Sequence, residues 1–160
     1  MSKEERARIA FMSYDRLSAL VREVAPPDIL NRIRIYEASF EATLDIARSL
    51  WRANEVDVIA AGGSNAEYLK DHLQDAPIVT IEISALDVLK AIAEGLKTAP
   101  RVTIASYRQS VPDLRPYANI LRGDIEYVTF SSETELRDRL ARANDPGVVV
   151  GTSLVCEVAE

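Results

Sequence analysis

The chain has 160 residues, 48% hydrophobic and 28% charged, a composition that excludes intrinsic disorder and suits one sizeable core or two small lobes. Its net charge of −6, with 19 Lys and Arg scattered among 25 acids, leaves no basic stripe to release counterions from a phosphate backbone, so no direct nucleic-acid contact is expected. No apolar run approaches the ~20 residues that cross a bilayer, and a lone Cys156 allows neither an internal disulfide nor a thiolate zinc cluster, so a cytoplasmic protein without metal is expected.

In chain order, β-branched runs at 8–13, 33–36, 56–61 and 78–83 predict four strands, and those at 101–106, 125–130 and 147–151 predict three more. Helical patterns lie between them, and several runs are apolar throughout, as in strands covered on both faces. The fold class is therefore α/β with parallel sheets. Phe40, Leu44, Ala47 and Trp51 form one helical stripe, and Leu86, Leu89, Ile92, Ala93 and Leu96 another. Ser64 with Glu67 and Ser132 with Glu135 have capping-box spacing. Over 110–121 Pro112 could open a helix that Pro116 would break or delay.

The chain also repeats itself. Arg8-Ile-Ala-Phe-Met-Ser-Tyr14 returns as Arg101-Val-Thr-Ile-Ala-Ser-Tyr107, an offset of 101 − 8 = 93. Ile33 returns at Ile125 (offset 92), Arg52-Ala53-Asn54 as Arg142-Ala143-Asn144 (offset 90), and Gly62-Gly63-Ser64 as Gly151-Thr152-Ser153 (offset 89). Four matches in order predict two copies of a βαβαβ unit: a first lobe over 1–84, a connecting helix over 85–100 and a second lobe over 101–160. The second copy lacks a counterpart of the fourth strand, so a lobe truncated at its C-terminus, with an exposed sheet edge inviting a homodimer, is expected.

Ligands of open parallel sheets gather beyond the carboxyl ends of the strands. There the sequence places Ser13, the turn Gly62-Gly63-Ser64-Asn65, Ser84 with Asp87, Ser106-Tyr107-Arg108, and Thr152-Ser153. Two glycines followed by a helix start could present N–H groups and a positive dipole end to a small anion; a plain strand-to-helix turn would look the same. Arg16 or Arg108 could supply counter-charge. His72 reads as a solvated or packed histidine and Cys156 as a small buried apolar residue. A cofactor-independent racemase would want two cysteines. Glu82 is either a buried functional carboxylate or a strand-edge acid facing water. A phosphoaccepting receiver would need an aspartate at the end of its third strand, where Ala60-Ala61-Gly62 stand, and neither a Walker lysine nor a G-x-G-x-x-G turn is present, so no cofactor is expected.

The stretch Val56-Asp57-Val58-Ile59-Ala60-Ala61-Gly62-Gly63-Ser64-Asn65-Ala66, followed by Pro77-Ile78-Val79-Thr80-Ile81-Glu82-Ile83-Ser84-Ala85-Leu86-Asp87-Val88-Leu89, resembles the PrpR-type N-terminal receptor domain of propionate catabolism regulators. Those domains carry a strand ending in a Gly-Gly-Thr/Ser turn and a Pro-led strand running into Ser-x-x-Asp; many have an arginine or another polar residue where this chain has Ala61. The resemblance implies two chelatase-like lobes around an interlobe ligand site and a non-enzymatic sensor. It also implies a sigma-54-interacting ATPase and a helix-turn-helix domain on the same polypeptide, restrained until a small acid such as 2-methylcitrate binds. It carries Gly62, Gly63, Ser64 and Asn65, with Ser84 and Asp87, into the ligand site. The alternatives are a lyase or isomerase using Asp87 or Glu82 as base, and a structural dimerisation module.

Overall fold

The computed structural model describes residues 7–117, 120–121, 123–143 and 145–160; Asn144, at the end of one of the repeats, lies outside them. The chain divides into two units, Met1–Ile81 and Glu82–Glu160. In the first, β1 (Ile9–Ser13), α1 (Asp15–Val24), α2 (Pro27–Leu30), β2 (Ile33–Glu37), α3 (Phe40–Arg52), β3 (Val58–Gly62), α4 (Gly63–His72) and β4 (Ile78–Ile81) follow one another. Their strands form a wholly parallel sheet in the order β2-β1-β3-β4. The second unit starts with α5 (Ala85–Thr98) and β5 (Arg101–Tyr107). A 3-10 turn at Arg115–Tyr117, β6 (Asp124–Phe130), α6 (Glu133–Arg142), β7 (Val148–Val150) and α7 (Ser153–Ala159) complete it. Its parallel sheet runs β6-β5-β7. No helix among the described residues is long and apolar enough to cross a membrane.

The first strand of each unit is its sheet's centre, which explains its composition. Ala10, Phe11 and Met12 in β1, and Val102 to Tyr107 in β5, are all buried, because a central parallel strand is covered on both faces. The first core gathers Ala10, Met12, Leu44, Ala47, Ile59 and Leu69, with Trp51 and Ile78 packed against it. The stripe expected on α3 is thus the buried one. On α5 the expected stripe holds in part: Ile92 is buried and Leu89 and Leu96 pack against the second core, with Val88 and Gly95 buried beside them, whereas Leu86 is 58% exposed and Ala93 faces solvent. Gly95 lets the helix lie close, since a Cβ there would stand 3.0 Å from Val102 and 3.2 Å from Val148. The helix read from sequence as a connector is therefore also a core element of the second unit.

The duplication is visible in strand register. Ile9 pairs with Ile33 and Val58 in the first unit; Val102, its counterpart 93 residues on, pairs with Ile125 and Val148. That register makes Val148 the counterpart of Val58, an offset of 148 − 58 = 90, so Gly62 and Gly63 answer Thr152 and Ser153. The offset of 89 matched on glycine was one residue out. The repeated arginines at the strand starts do matching work. Arg8 donates from its backbone N and Nε to Asp57 Oδ2 at 2.7 and 3.1 Å, from Nη2 to Oδ1 at 2.8 Å, and from Nη1 to the Asn54 carbonyl at 2.7 Å. Arg101 donates to Asp124 Oδ2 at 2.7 Å and to the Asp145 carbonyl at 3.1 Å. Each ties its central strand to chain at the amino pole of its own sheet.

The expected caps divide. Ser132 accepts from the Glu135 backbone N at 3.2 Å, but the Glu135 carboxylate reaches one residue further back, to the Ser131 N and Oγ at 2.8 and 2.7 Å. The box expected at Ser64 and Glu67 does not form, because α4 starts earlier, with Gly62 at the N-cap, and Glu67 instead pairs with Lys70 at 3.1 Å. Over 110–121 the described chain forms the single 3-10 turn, consistent with two prolines four residues apart. The fourth strand closes at Ile81, two residues short of expectation, leaving Glu82 exposed.

Hydrogen bonds from the Arg8 side chain, then its backbone N–H, hold the Asp57 carboxyl down to about 2 from an ordinary 3.8. Those from Ser131 and Arg139 hold Glu135 down to about 2 from 4.5. Both folded values are depressed, so both contributions are fully present above the unfolded values and are lost as pH falls through the range from about 4 to about 2. Urea midpoints measured against pH should fall over that window, with a shallower acid limb in Asp57→Asn; an acid limb identical to the unsubstituted chain's would contradict the clamp.

Candidate functional site

In each sheet the strand order reverses beside the first strand, between β1 and β3 in the first unit and between β5 and β7 in the second. These are the switch points at which open α/β sheets bind ligands. Ser13 and the Gly62–Gly63 turn stand at the first, and Tyr107, Arg108, Thr152 and Ser153 at the second. The expected site residues of each unit are thus brought to its switch point, except Ser84 and Asp87, which precede α5.

Most of the hydroxyls there are already engaged in folding the chain. Ser13 and Ser18 are buried with their oxygens 2.5 Å apart. Ser18 hydrogen-bonds to Glu37, whose carboxyl is held below its ordinary range first by Arg22 and then by Ser18. Since an ionised carboxylate only accepts, Ser18 gives its proton to Glu37 and Ser13 gives its proton to Ser18. Ser13 is left with acceptor capacity only, which does not suit an anion. Ser106 is used alike: its oxygen accepts from the Val111 N at 3.1 Å and lies 3.4 Å from the Arg108 carbonyl, turning the chain out of β5.

Asn65 is a bracket. Its Nδ2 donates to the Ala38 carbonyl at 2.8 Å and its Oδ1 accepts from the Phe40 N at 3.3 Å, across the turn that enters α3. Phe40 itself has φ 46°, a left-handed conformation unfavourable for a bulky residue, and Tyr68 of α4 meets its ring edge-on at 5.4 Å. The amide and the ring contact together stabilise a backbone that the sequence by itself disfavours. Ser84 and Asp87 form a full capping box on α5: Ser84 Oγ accepts from the Asp87 N at 3.2 Å, and Asp87 Oδ2 accepts from the Ser84 N and Oγ at 3.0 and 2.6 Å. That carboxyl is held below its ordinary value by Ser84. Its Oδ2 is engaged at a helix start, and Glu82 is exposed.

What remains is the backbone of the glycine turn. Gly63 has φ +55°, which glycine adopts without strain. Gly62 lies so near α1 that a Cβ would stand 3.2 Å from Leu17. Ser64 is buried in the first turn of the ten-residue α4. In the second unit Arg108 also has a positive φ of 47°, unusual for a non-glycine, with its guanidinium 5.3 Å from the Tyr107 ring centre. Thr152 and Ser153 are half-buried at the start of α7, and Arg16 is exposed on α1. His72 is exposed, stacked on Tyr68 at 4.2 Å, and Cys156 is half-buried with its thiol 3.7 Å from the Gly151 carbonyl. Ser18, Glu37 and Ala38 were not expected here; the signal for Ser18 was a small polar residue on the inner stripe of a strongly amphipathic helix.

A profile of the propionate catabolism activator family matches residues 29–160. Among solved structures, an NtrC family transcriptional regulator from Clostridium acetobutylicum shares the fold, with a TM-score of 0.76, 22% sequence identity, and a match covering 98% of this chain and 83% of that one.

The engaged side chains can be separated from any ligand by substitution. Ser84→Ala should lower unfolding free energy by ~1 kcal/mol, the ordinary cost of a lost cap, and Asn65→Ala by ~1–3 kcal/mol, because it strands the buried Phe40 N–H and the half-buried Ala38 carbonyl. Chemical denaturation measures both; an Asn65→Ala protein as stable as the unsubstituted chain would remove the bracket role.

Proposed function

The chain belongs to the propionate catabolism activator family, and on that premise we propose that it is the ligand-sensing receptor domain of a sigma-54-dependent transcriptional activator. Its ligand is a small organic acid of the 2-methylcitrate type. Binding shifts the domain's conformational equilibrium and relieves restraint of an ATPase domain carried, with a DNA-binding domain, on the same polypeptide.

The observation that carries this reading is the Gly62–Gly63–Ser64 turn, at the switch point of the first sheet and at the start of a helix long enough to have a developed dipole. Backbone amides of a left-handed glycine turn suit carboxylate oxygens and need no charged side chain. The chain fits that pattern, since its Ser13, Asn65, Ser84 and Asp87 side chains are engaged in structure. Arg108, exposed at the end of β5, is the candidate counter-charge in the second unit. A sensor needs no general base at such a turn, and in support of that reading Asp87 Oδ2 caps α5 and Glu82 is exposed.

Thermal unfolding with 2-methylcitrate, citrate and related acids tests this. A ligand at a hundred times its Kd adds ~2.7 kcal/mol and should raise Tm by several degrees. Gly63→Ala, which forces a side chain into the left-handed region, should weaken that response by about tenfold or more while the circular dichroism below the transition is preserved. Absence of any shift with every acid at millimolar concentration would reject the small-acid receptor.

A further inference from the structure

We propose that Ser13 is a specificity-determining residue of the glycine-turn site, accepting a hydrogen bond from a hydroxyl of the bound acid and so selecting hydroxy acids over their deoxy counterparts. The inference rests on the small-acid reading above and names the group such a ligand carries besides its carboxylates.

Strand register places Ser13 between two neighbours at the carboxyl edge of the first sheet. On one side it pairs with Glu37 of β2. On the other, β1 and β3 are paired as far as Met12 with Ala61, so Ser13 and Gly62 are the next positions on adjacent strands, ~5 Å apart. Both are turned to the α1 face: the Ser13 hydroxyl meets that of Ser18 at 2.5 Å, and a Cβ on Gly62 would meet Leu17 at 3.2 Å. Gly62 itself brings no side chain between Ser13 and the amides of the turn.

The direction of the hydroxyl chain decides what Ser13 can read. Arg22 donates to Glu37 Oε1 at 2.9 Å, and Ser18 also hydrogen-bonds to that carboxyl. With a carboxylate at the far end each hydroxyl donates outward, and among the described residues Ser18 is the hydrogen-bond partner of the Ser13 hydroxyl. The proton of Ser13 is therefore committed, whereas its lone pairs are not. Ser13 is 2% exposed, so a ligand group brought to it leaves water behind. A donor regains a hydrogen bond there, and a C–H or an acceptor leaves the serine oxygen unpaired. A neutral hydroxyl fits better than an ammonium, because Arg22 already balances the Glu37 charge and the start of α4 is the positive end of its dipole.

Isothermal titration calorimetry on the 160-residue protein tests this with citrate, 2-methylcitrate and malate, each beside analogues in which hydrogen or fluorine replaces the hydroxyl. Fluorine keeps much of the size and polarity of the hydroxyl and cannot donate. The hydroxy acid should bind about tenfold more tightly than either analogue, the worth of one well-placed hydrogen bond. In Ser13→Ala that ratio should fall to near unity with the affinities of the analogues unchanged, whereas a general loosening of the fold weakens all ligands alike. Ser13→Cys, whose sulfur accepts only weakly, is the second variant should alanine prevent folding. Equal binding of hydroxy acids and their analogues, or a ratio that survives in the folded Ser13 variants, overturns the role of Ser13 and leaves the receptor standing. Binding of none of these acids, with or without the hydroxyl, rejects the receptor and the inference together.

Discussion

Both units depend on one constraint: the first strand must lie in the middle of its sheet. A parallel strand with neighbours on both edges and helices on both faces can hold a polar side chain away from its ends only where a buried partner meets it, as the Pro146 carbonyl meets Thr103 at 2.7 Å. This is why β1 and β5 are the most completely buried segments of the chain, and why polarity is displaced to their termini. At the amino end it becomes an arginine, Arg8 or Arg101, hydrogen-bonded to a nearby aspartate and a backbone carbonyl. At the carboxyl end it becomes a serine, Ser13 or Ser106, folding the outgoing loop. The same placement creates the switch point, since chain must leave a central strand toward one edge and return to the other. Burial of the centre and accessibility of the carboxyl pole are two results of one strand order.

Much of this was legible from residues alone, for reasons that can be named. Apolar runs bounded by turn residues gave the strands, because continuous burial leaves a continuous signature. The duplication was legible because the order of elements is conserved within one chain, although matching on glycine placed the last repeat one residue out. Glycine marks where backbone must bend, whereas hydrogen-bond register marks which residues are equivalent, and only a structure shows the second. Two positions of the α5 stripe, Leu86 and Ala93, fell outside the core for a related reason. Leu86 and Ala93 satisfy a helical period as well as Val88 and Gly95 do, and the choice between faces was made by how closely Gly95 lets the helix approach Val102 and Val148.

The site was the least legible part, because small polar residues at the end of a strand serve two purposes that look identical in sequence. Ser84 and Asp87 carry the spacing of a family motif, yet the geometry makes them a capping box. Asn65 follows two glycines as a ligand-binding residue could, yet it brackets the turn into α3 across 27 positions of sequence. Separation of this kind is invisible to local pattern, and so is the direction of a hydroxyl proton. Ser13 counts as a donor until Ser18 and Glu37 are seen beyond it, after which proton bookkeeping leaves it an acceptor. Subtracting such residues narrows the candidate ligand contacts toward backbone, where side-chain identity matters least and glycine matters most.

The two copies differ in side-chain size at several counterpart positions, Met12 and Ala105 of the central strands among them. Along the central strands one counterpart position turns polar, Ala10 becoming Thr103, and the buried hydroxyl there donates to the Pro146 carbonyl at 2.7 Å. Along the helices flanking the third strand, by contrast, Trp51 and Leu69 of the first unit are alanines in the second. In a closed core, shrinkage of that extent leaves a cavity whose cost rises with its volume. Where the neighbouring edge is unpaired, the same shrinkage opens onto solvent and the cost is largely avoided. Smaller side chains beside a strand that, among the described residues, pairs along one edge alone therefore cost less than they would in a closed core.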